Sequence, residues 1–113
     1  MEYRTFGQTG IKVSAIGVGC WEIGGGYGSV EEQEFIAGVH KALDLGITCF
    51  DTAEAYGFGA SERSLAKALG ERRKNAVVVT KFGIGYREAK ERNYRDSRRG
   101  RAMMSIESSL KSL

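Results

Sequence analysis

"GITCFDTAEAYGFGASERSLAKAL", residues 46–69, runs from an apolar strand into an acid, a tyrosine, a glycine-rich turn and a helix. The run "ITCF" is short, apolar and bounded by turn residues, as a buried strand should be. It ends on Asp51, and Tyr56 follows in the turn. The segment "SERSLAKALG" then places Leu65, Ala68 and Leu69 on one face of a short helix. An acid and a phenol brought together at a strand end mark a candidate reaction site.

The same alternation extends outward on both sides. Upstream, "YRTFGQTGIKVSA" reads as a hairpin about its "GQTG" bend, because polar and apolar residues alternate on either side of it. "AIGVGC", residues 15–20, is a first strand followed by the glycine-rich loop "WEIGGGYG". "SVEEQEFIAGVHKALDLG" opens with Ser29 and Glu32 at capping-box spacing, carries Phe35, Ile36, Val39 and Leu43 at helical intervals, and closes on Gly46. Downstream, the valine run of "AVVVTK", residues 76–81, suits a strand covered on both faces. "RAMMSIESSLKSL" has Met103, Ile106 and Leu110 at helical spacing.

A hairpin followed by three strand–helix units implies a parallel sheet with right-handed crossovers. A dinucleotide-binding Rossmann sheet should carry GxGxxG after a strand, but after Gly17 and Gly19 the third glycine position is Glu22. The triplet Gly24–Gly26 lacks the Lys-Ser or Lys-Thr of a phosphate-binding loop. The alternative is a (β/α)8 TIM barrel, in which functional side chains gather at the C-terminal strand ends. Here those ends carry Gly19, Cys20 and Trp21, then Asp51 with Tyr56, then Lys81.

Composition limits what such a unit could be. With 113 residues and 42% hydrophobic content, residues 1–113 form one unit. Cys20 and Cys49 lack CxxC spacing, so neither a disulfide framework nor a zinc site is expected. The N-terminal stretch has no apolar h-region, and no run approaches the roughly 18 apolar residues of a membrane span, so a cytoplasmic setting is the default. The net charge of +3 comes mostly from residues 86–101, "YREAKERNYRDSRRGR". Arginines interleaved with tyrosines would attract nucleic-acid phosphates. Glu88, Glu91 and Asp96 dilute that field, so a polar loop after the third strand is the stronger reading.

The strand ends can work together. Neighbouring parallel strands lie about 4.8 Å apart, so Asp51 and Lys81 can meet across the sheet, with Tyr56 folded back over both. A buried Lys81 held charged by Asp51 would favour the phenolate of Tyr56, which makes the phenol a general acid for a carbonyl oxygen. Each residue alone has a plainer role: Asp51 as a helix cap, Tyr56 as a packed loop aromatic, Lys81 as a solvated strand end, Trp21 as a plug. Their coincidence on successive strand ends outweighs those roles. His40, mid-helix beside Val39, reads as a surface or packing residue.

"GITCFDTAEAYGFGASERSLAKAL", "VVVTKFG" and "GVGCWEIGGGYG" together resemble the aldo-keto reductases, in particular the branch of bacterial general-stress reductases and potassium-channel β-subunits. The resemblance implies a barrel that binds NADPH in extended form without a Rossmann motif and transfers hydride to a small aldehyde or ketone. On that resemblance Tyr56 is the proton donor and Asp51 and Lys81 the pair that tunes it. Gly19, Cys20, Trp21 and Asp51 then border the cofactor and substrate. Ala66 departs from the glycine common in the family.

The resemblance runs from the hairpin through three strand–helix units, so the sequence reads as the N-terminal portion of a barrel of about 250 residues. The family's histidine at the end of its fourth strand has no counterpart here. If it acts as an oxyanion donor, its loss costs about 2.7–4 kcal/mol, leaving weak activity. A non-catalytic, self-associating or regulatory module is the alternative. Self-association is expected in either case, because the faces bearing Ile16, Val18, Ile47, Cys49, Val77 and Val79 lack an opposite wall and the sheet edges are open. A dimer or trimer would cover them.

Overall fold

The computed structural model describes residues 1–24, 28–87 and 92–113. Gly25 and Gly26 of the glycine triplet, and Glu88, Lys90 and Glu91 of the basic tract, lie outside the described residues. The chain opens with the antiparallel hairpin β1 (Tyr3–Thr5) and β2 (Lys12–Ser14). The hairpin docks on the N-terminal side of the sheet. The Ser14 hydroxyl oxygen accepts from the Thr48 and Cys49 backbone N–H groups at 2.9 and 3.3 Å, and the Tyr3 hydroxyl donates to the Gly46 carbonyl at 2.9 Å.

Three strands then pair in parallel in the order β3 (Gly17–Gly19), β4 (Cys49–Asp51), β5 (Val77–Val79). Helix α1 (Glu32–Asp44) links the first two, and α2 (Ala60–Leu69) with a short 3-10 turn (Gly70–Asn75) links the second pair. The expected strand–helix units are therefore present, as a partial (β/α)8 architecture. Val18, Phe50 and Val78 stand in register on the face that meets the helices. Phe50, Cys20, Val39, Ala42, Leu65, Ala68, Leu69 and Ala76 form the core between sheet and helices. Burying side chains as large as Phe50 and Leu65 is worth about 1.5–3 kcal/mol each.

That register corrects one expectation. Gly17 pairs with Cys49, and Cys49 with Val77, so the face away from the helices carries Gly17 and Gly19 on β3 rather than Ile16 and Val18. Val18 packs against the core, while Ile16 is 62% exposed. Strand parity follows from pairing, which residue type alone does not give in so short a strand.

The helix boundaries hold one further correction. Helix α1 begins after Glu31, and no side chain caps it, so Ser29 and Glu32 form no capping box. Glu32 instead accepts from Lys67 and Ser64 of α2. The C-terminus behaves as expected. Gly46, at φ +82°, lets its N–H reach the Leu43 carbonyl and the Ile47 N–H reach the Ala42 carbonyl, which satisfies the last turn.

After β5 the described residues of the basic tract pair as strands and enter a helix rather than forming a loop. An antiparallel pair, β6 (Ile84–Arg87) and β7 (Arg92–Arg95), precedes α3 (Arg99–Ser112). The face α3 turns inward is not its apolar one: Ser105 and Ser109 are buried, whereas Met103, Ile106 and Leu110 are exposed. Ser109 is placed inward by the buried Glu62 carboxylate, to which it donates, whereas the Ser105 hydroxyl has no hydrogen-bond partner among the described residues. Among the described residues no helix is long and apolar enough to cross a membrane.

Candidate functional site at the strand ends

The ladder continues for one residue past the regular strands. The Cys20 N–H donates to the Asp51 carbonyl at 2.9 Å and the Thr52 N–H to the Val79 carbonyl at 2.8 Å. Trp21, Asp51 and Lys81 are thereby held at one end of the sheet. Lys81 lies two residues, about 6.6 Å of extended chain, beyond Val79, the register partner of Asp51, so its long side chain leans back over β4.

The lysine ammonium is the centre of the site. Lys81 Nζ donates toward both carboxylate oxygens of Asp51 at 2.8 Å, the Thr52 carbonyl at 2.9 Å and the Tyr56 hydroxyl at 3.1 Å. An ammonium has three protons, so the two carboxylate oxygens share one of them. The same nitrogen lies 4.9 Å from the centroid of the Tyr56 ring. Trp21 completes the cluster, its ring centroid 6.1 Å from that of Tyr56. The predicted Asp51, Tyr56 and Lys81 are therefore gathered at one point.

The site is wetter than expected. The Lys81 and Asp51 side chains are 46% and 48% exposed, so the ion pair is not buried. Partial desolvation pulls the lysine pKa down, but its hydrogen bonds to Asp51 and Tyr56 and the fields of those groups outweigh it. The net shift is upward, and Lys81 stays a cation.

Tyr56 is placed by a tight left-handed run. Gly57, Phe58 and Gly59 have φ of 59°, 53° and 78°, which turns the chain from the end of β4 directly into α2. Two glycines take this conformation without strain, whereas Phe58 pays about 1–2 kcal/mol. The Gly59 N–H to Glu54 carbonyl bond of 2.8 Å closes the turn.

The residues expected to border a cofactor separate into two groups. Trp21 is half exposed and Gly19 exposed, and a Cβ built on Gly19 would meet nothing within 4 Å among the described residues, which leave the space over the end of β3 open. Cys20 lies beneath this surface, fully buried. Burial first, then the nearby Glu22 and Asp51 carboxylates, push its thiol up to about 12. It is a protonated core residue, not a nucleophile. His40 lies away from the site, its Nε2 2.8 Å from the Ala68 carbonyl. Among the described residues no group of three or more His, Cys, Asp and Glu side chains stands close enough to hold a metal ion.

The arginines after β5 are partly neutralised within the chain. Arg98 grips Asp96 through two bonds of 2.9 and 2.7 Å, which hold the Asp96 carboxyl down at about 2. Arg101 donates to Glu54 at 2.9 Å in a pair whose side chains are each under one-fifth exposed. A positive field for nucleic-acid phosphates is correspondingly weakened.

Sequence reading did not mark Ser61 and Glu62, both fully buried in the first turn of α2. The signal was available. They share the inward face of α2 with Leu65, Ala68 and Leu69, and a polar pair on an apolar stripe means buried hydrogen bonds.

The model of the Aldo/keto reductase family matches residues 15–113. The aldo-keto reductase YhdN of Bacillus subtilis is 40% identical to this chain over 116 aligned positions, which cover 100% of the chain and 34% of YhdN. The holo form of aldo-keto reductase AKR11C1 from Bacillus halodurans superposes with a TM-score of 0.88 at 29% identity, covering 100% of this chain and 36% of that one. An aldo-keto reductase from Klebsiella pneumoniae in complex with NADPH superposes with a TM-score of 0.67 at 26% identity, covering 89% and 31%. The chain thus spans about a third of the length of the proteins it matches.

Proposed function

The chain belongs to the aldo/keto reductase family, and from that premise we propose that it reduces aldehydes or ketones with NADPH, Tyr56 acting as proton donor. The observation that carries this reading is the contact of one ammonium, Lys81 Nζ, with both Asp51 and the Tyr56 hydroxyl. A phenol beside a fixed cation can release its proton to a carbonyl oxygen and recover it from solvent, because the cation steadies the charge left behind. Asp51 in turn keeps Lys81 charged and pointed at Tyr56.

The open surface over Gly19 and the half-exposed Trp21 ring fit the flat end of a nicotinamide cofactor, with Asp51 at its border and Cys20 packed below. NADPH, when bound, supplies the hydride that reaches the carbonyl carbon. The Klebsiella relative in complex with NADPH supports the choice of cofactor. His40 is engaged with Ala68 and lies away from the site, so among the described residues polarisation of the carbonyl oxygen falls to Tyr56 and Lys81. The two free thiols, Cys20 and Cys49, suit a reducing cytoplasmic setting.

The test uses Trp21, the only tryptophan in the chain, as a probe. Titration with NADPH should quench its fluorescence saturably and at lower concentration than NADH does. Linear, non-saturating quenching by both would overturn the reading.

A second reading, a self-associating module without catalysis, draws on a different observation. Ile106 and Leu110 of α3 lie exposed and share a cavity with Val78 of β5, which among the described residues is paired on one side only. A second copy could cover that edge and face, giving a small closed homo-oligomer. Light scattering on a sizing column separates the cases: a dimer or trimer supports association, and a compact monomer at all concentrations removes it.

A further inference from the structure

The buried pair Ser61–Glu62 touches the end of every strand that carries a site residue. The Ser61 hydroxyl donates to the Cys20 carbonyl at 2.6 Å, and its oxygen lies 2.8 Å from the Thr52 hydroxyl. Since the single Ser61 proton is committed to Cys20, Thr52 must be the donor in the second bond. The Glu62 Oε1 oxygen accepts from the Thr80 hydroxyl and from the Ser109 hydroxyl, each at 2.7 Å.

The sequence neighbours of these contacts are informative. Cys20 precedes Trp21, Thr52 follows Asp51, and Thr80 precedes Lys81. The Thr52 carbonyl also accepts directly from Lys81 Nζ at 2.9 Å. One turn of one helix therefore holds β3, β4 and β5 at the residue next to each site side chain. Both Ser61 and Glu62 have 0% exposure, so water does not compete for these bonds.

A carboxylate is a costly way to brace a fold. Glu62 Oε2 is buried with no hydrogen-bond partner among the described residues, and no salt bridge offsets its burial. An apolar residue would fill the same stripe beside Leu65 and Leu69 more cheaply. What Glu62 adds is a fixed acceptor at the end of β5, directly beside Lys81.

We propose that Ser61 and Glu62 are positioning residues, setting the strand ends so that Lys81 Nζ meets Asp51 and Tyr56 together. The inference rests on the reading of Tyr56 as proton donor, but its geometric content can be measured without turnover. Ser61 fixes the Trp21 and Asp51 side of the site, and Glu62, through Thr80, fixes the Lys81 side.

Two substitutions separate positioning from bracing, because they delete donors to the same oxygen. Thr80→Val removes the bond beside Lys81 and keeps the side-chain shape. Ser109→Ala removes the matching bond from α3, leaving the β5 side of the contact intact. The readout is the NMR resonance of carbon-labelled tyrosine, with Tyr56 assigned by its disappearance in Tyr56→Phe. Thr80→Val should move the Tyr56 resonance, and Ser109→Ala should leave it in place even where it lowers thermal stability more. Where NADPH-dependent turnover is measurable, Thr80→Val should reduce kcat about tenfold to a hundredfold at nearly constant KM, since small misplacements of reacting groups cost that much. An unmoved Tyr56 resonance in Thr80→Val, or an equal movement in Ser109→Ala, overturns the proposal. Absence of turnover in the unsubstituted protein counts against the reductase reading alone, because the resonances still decide the positioning.

Discussion

Replacing Lys81 by Met removes the cation and keeps most of the side-chain length. Lys81 Nζ lies 3.1 Å from the Tyr56 oxygen. Two unit charges at that distance interact by about 1.3 kcal/mol in bulk water and about 5 kcal/mol at an effective permittivity of 20. The Lys81 and Asp51 side chains are both nearly half exposed, so the lower end of that range applies. At about 1.4 kcal/mol per tenfold in rate, loss of the cation that steadies the charge left on Tyr56 should lower turnover by about tenfold.

The fold should notice this substitution far less than the reaction does, since an exposed ion pair is worth about 0–1 kcal/mol. The linkage has a definite sign. The folded-state pKa of Lys81 is raised above the ordinary 10.5, so its contribution to stability is complete below that pH and disappears as pH rises through the folded value. The assay is NADPH consumption with an aldehyde across pH, paired with thermal melts of both proteins. Equal turnover in the two proteins would refute the charge argument. A melting loss as severe as the rate loss would show Lys81 to be structural.

Further outcomes follow from burial and charge. Cys20 should resist alkylation at neutral pH in the folded protein and react only on unfolding, as mass spectrometry of the labelled peptide would show; rapid labelling under native conditions would contradict its placement in the core. Leu65→Ala, at a site with 0% exposure, should cost about 2–5 kcal/mol by denaturant unfolding, and a loss under about 1 kcal/mol would mean that α2 does not pack as described. Asp96 contributes stability that is present above its ordinary value of 3.8 and lost as pH falls through about 2. Arg98→Ala should therefore flatten the acid limb of the stability profile, and an unchanged limb would argue against that pair.

Much of the site was legible because chemistry and register coincide. Asp51 and Lys81 stand at the ends of neighbouring strands, within reach of a lysine side chain that leans back across the ladder. The left-handed turn that brings Tyr56 back was announced by Gly57 and Gly59, although Phe58 sharing that conformation was not. What could not be read depended on tertiary competition. Ser29 and Glu32 have capping-box spacing, yet Glu32 is drawn to Lys67 and Ser64 of α2, a partner no local pattern reveals. Met103, Ile106 and Leu110 have helical spacing on α3 but lie exposed, while Ser109 turns inward to donate to buried Glu62, a tertiary partner that no local pattern reveals. The β6–β7 pair was hidden by arginines and glycines that break strand alternation, and its long polar composition read as a loop. Exposure was the remaining gap, since spacing places Lys81 against Asp51 but does not say how much water reaches them.

The most direct test compares the unsubstituted chain with Tyr56→Phe in NADPH-dependent reduction of an aldehyde, with Trp21 fluorescence reporting cofactor binding in the same samples. The substitution removes one oxygen and leaves the ring beside Trp21 and Lys81. With Tyr56 as general acid, turnover should fall about 10²- to 10⁴-fold while the NADPH binding curve stays where it was. Equal turnover in the two proteins would contradict the account.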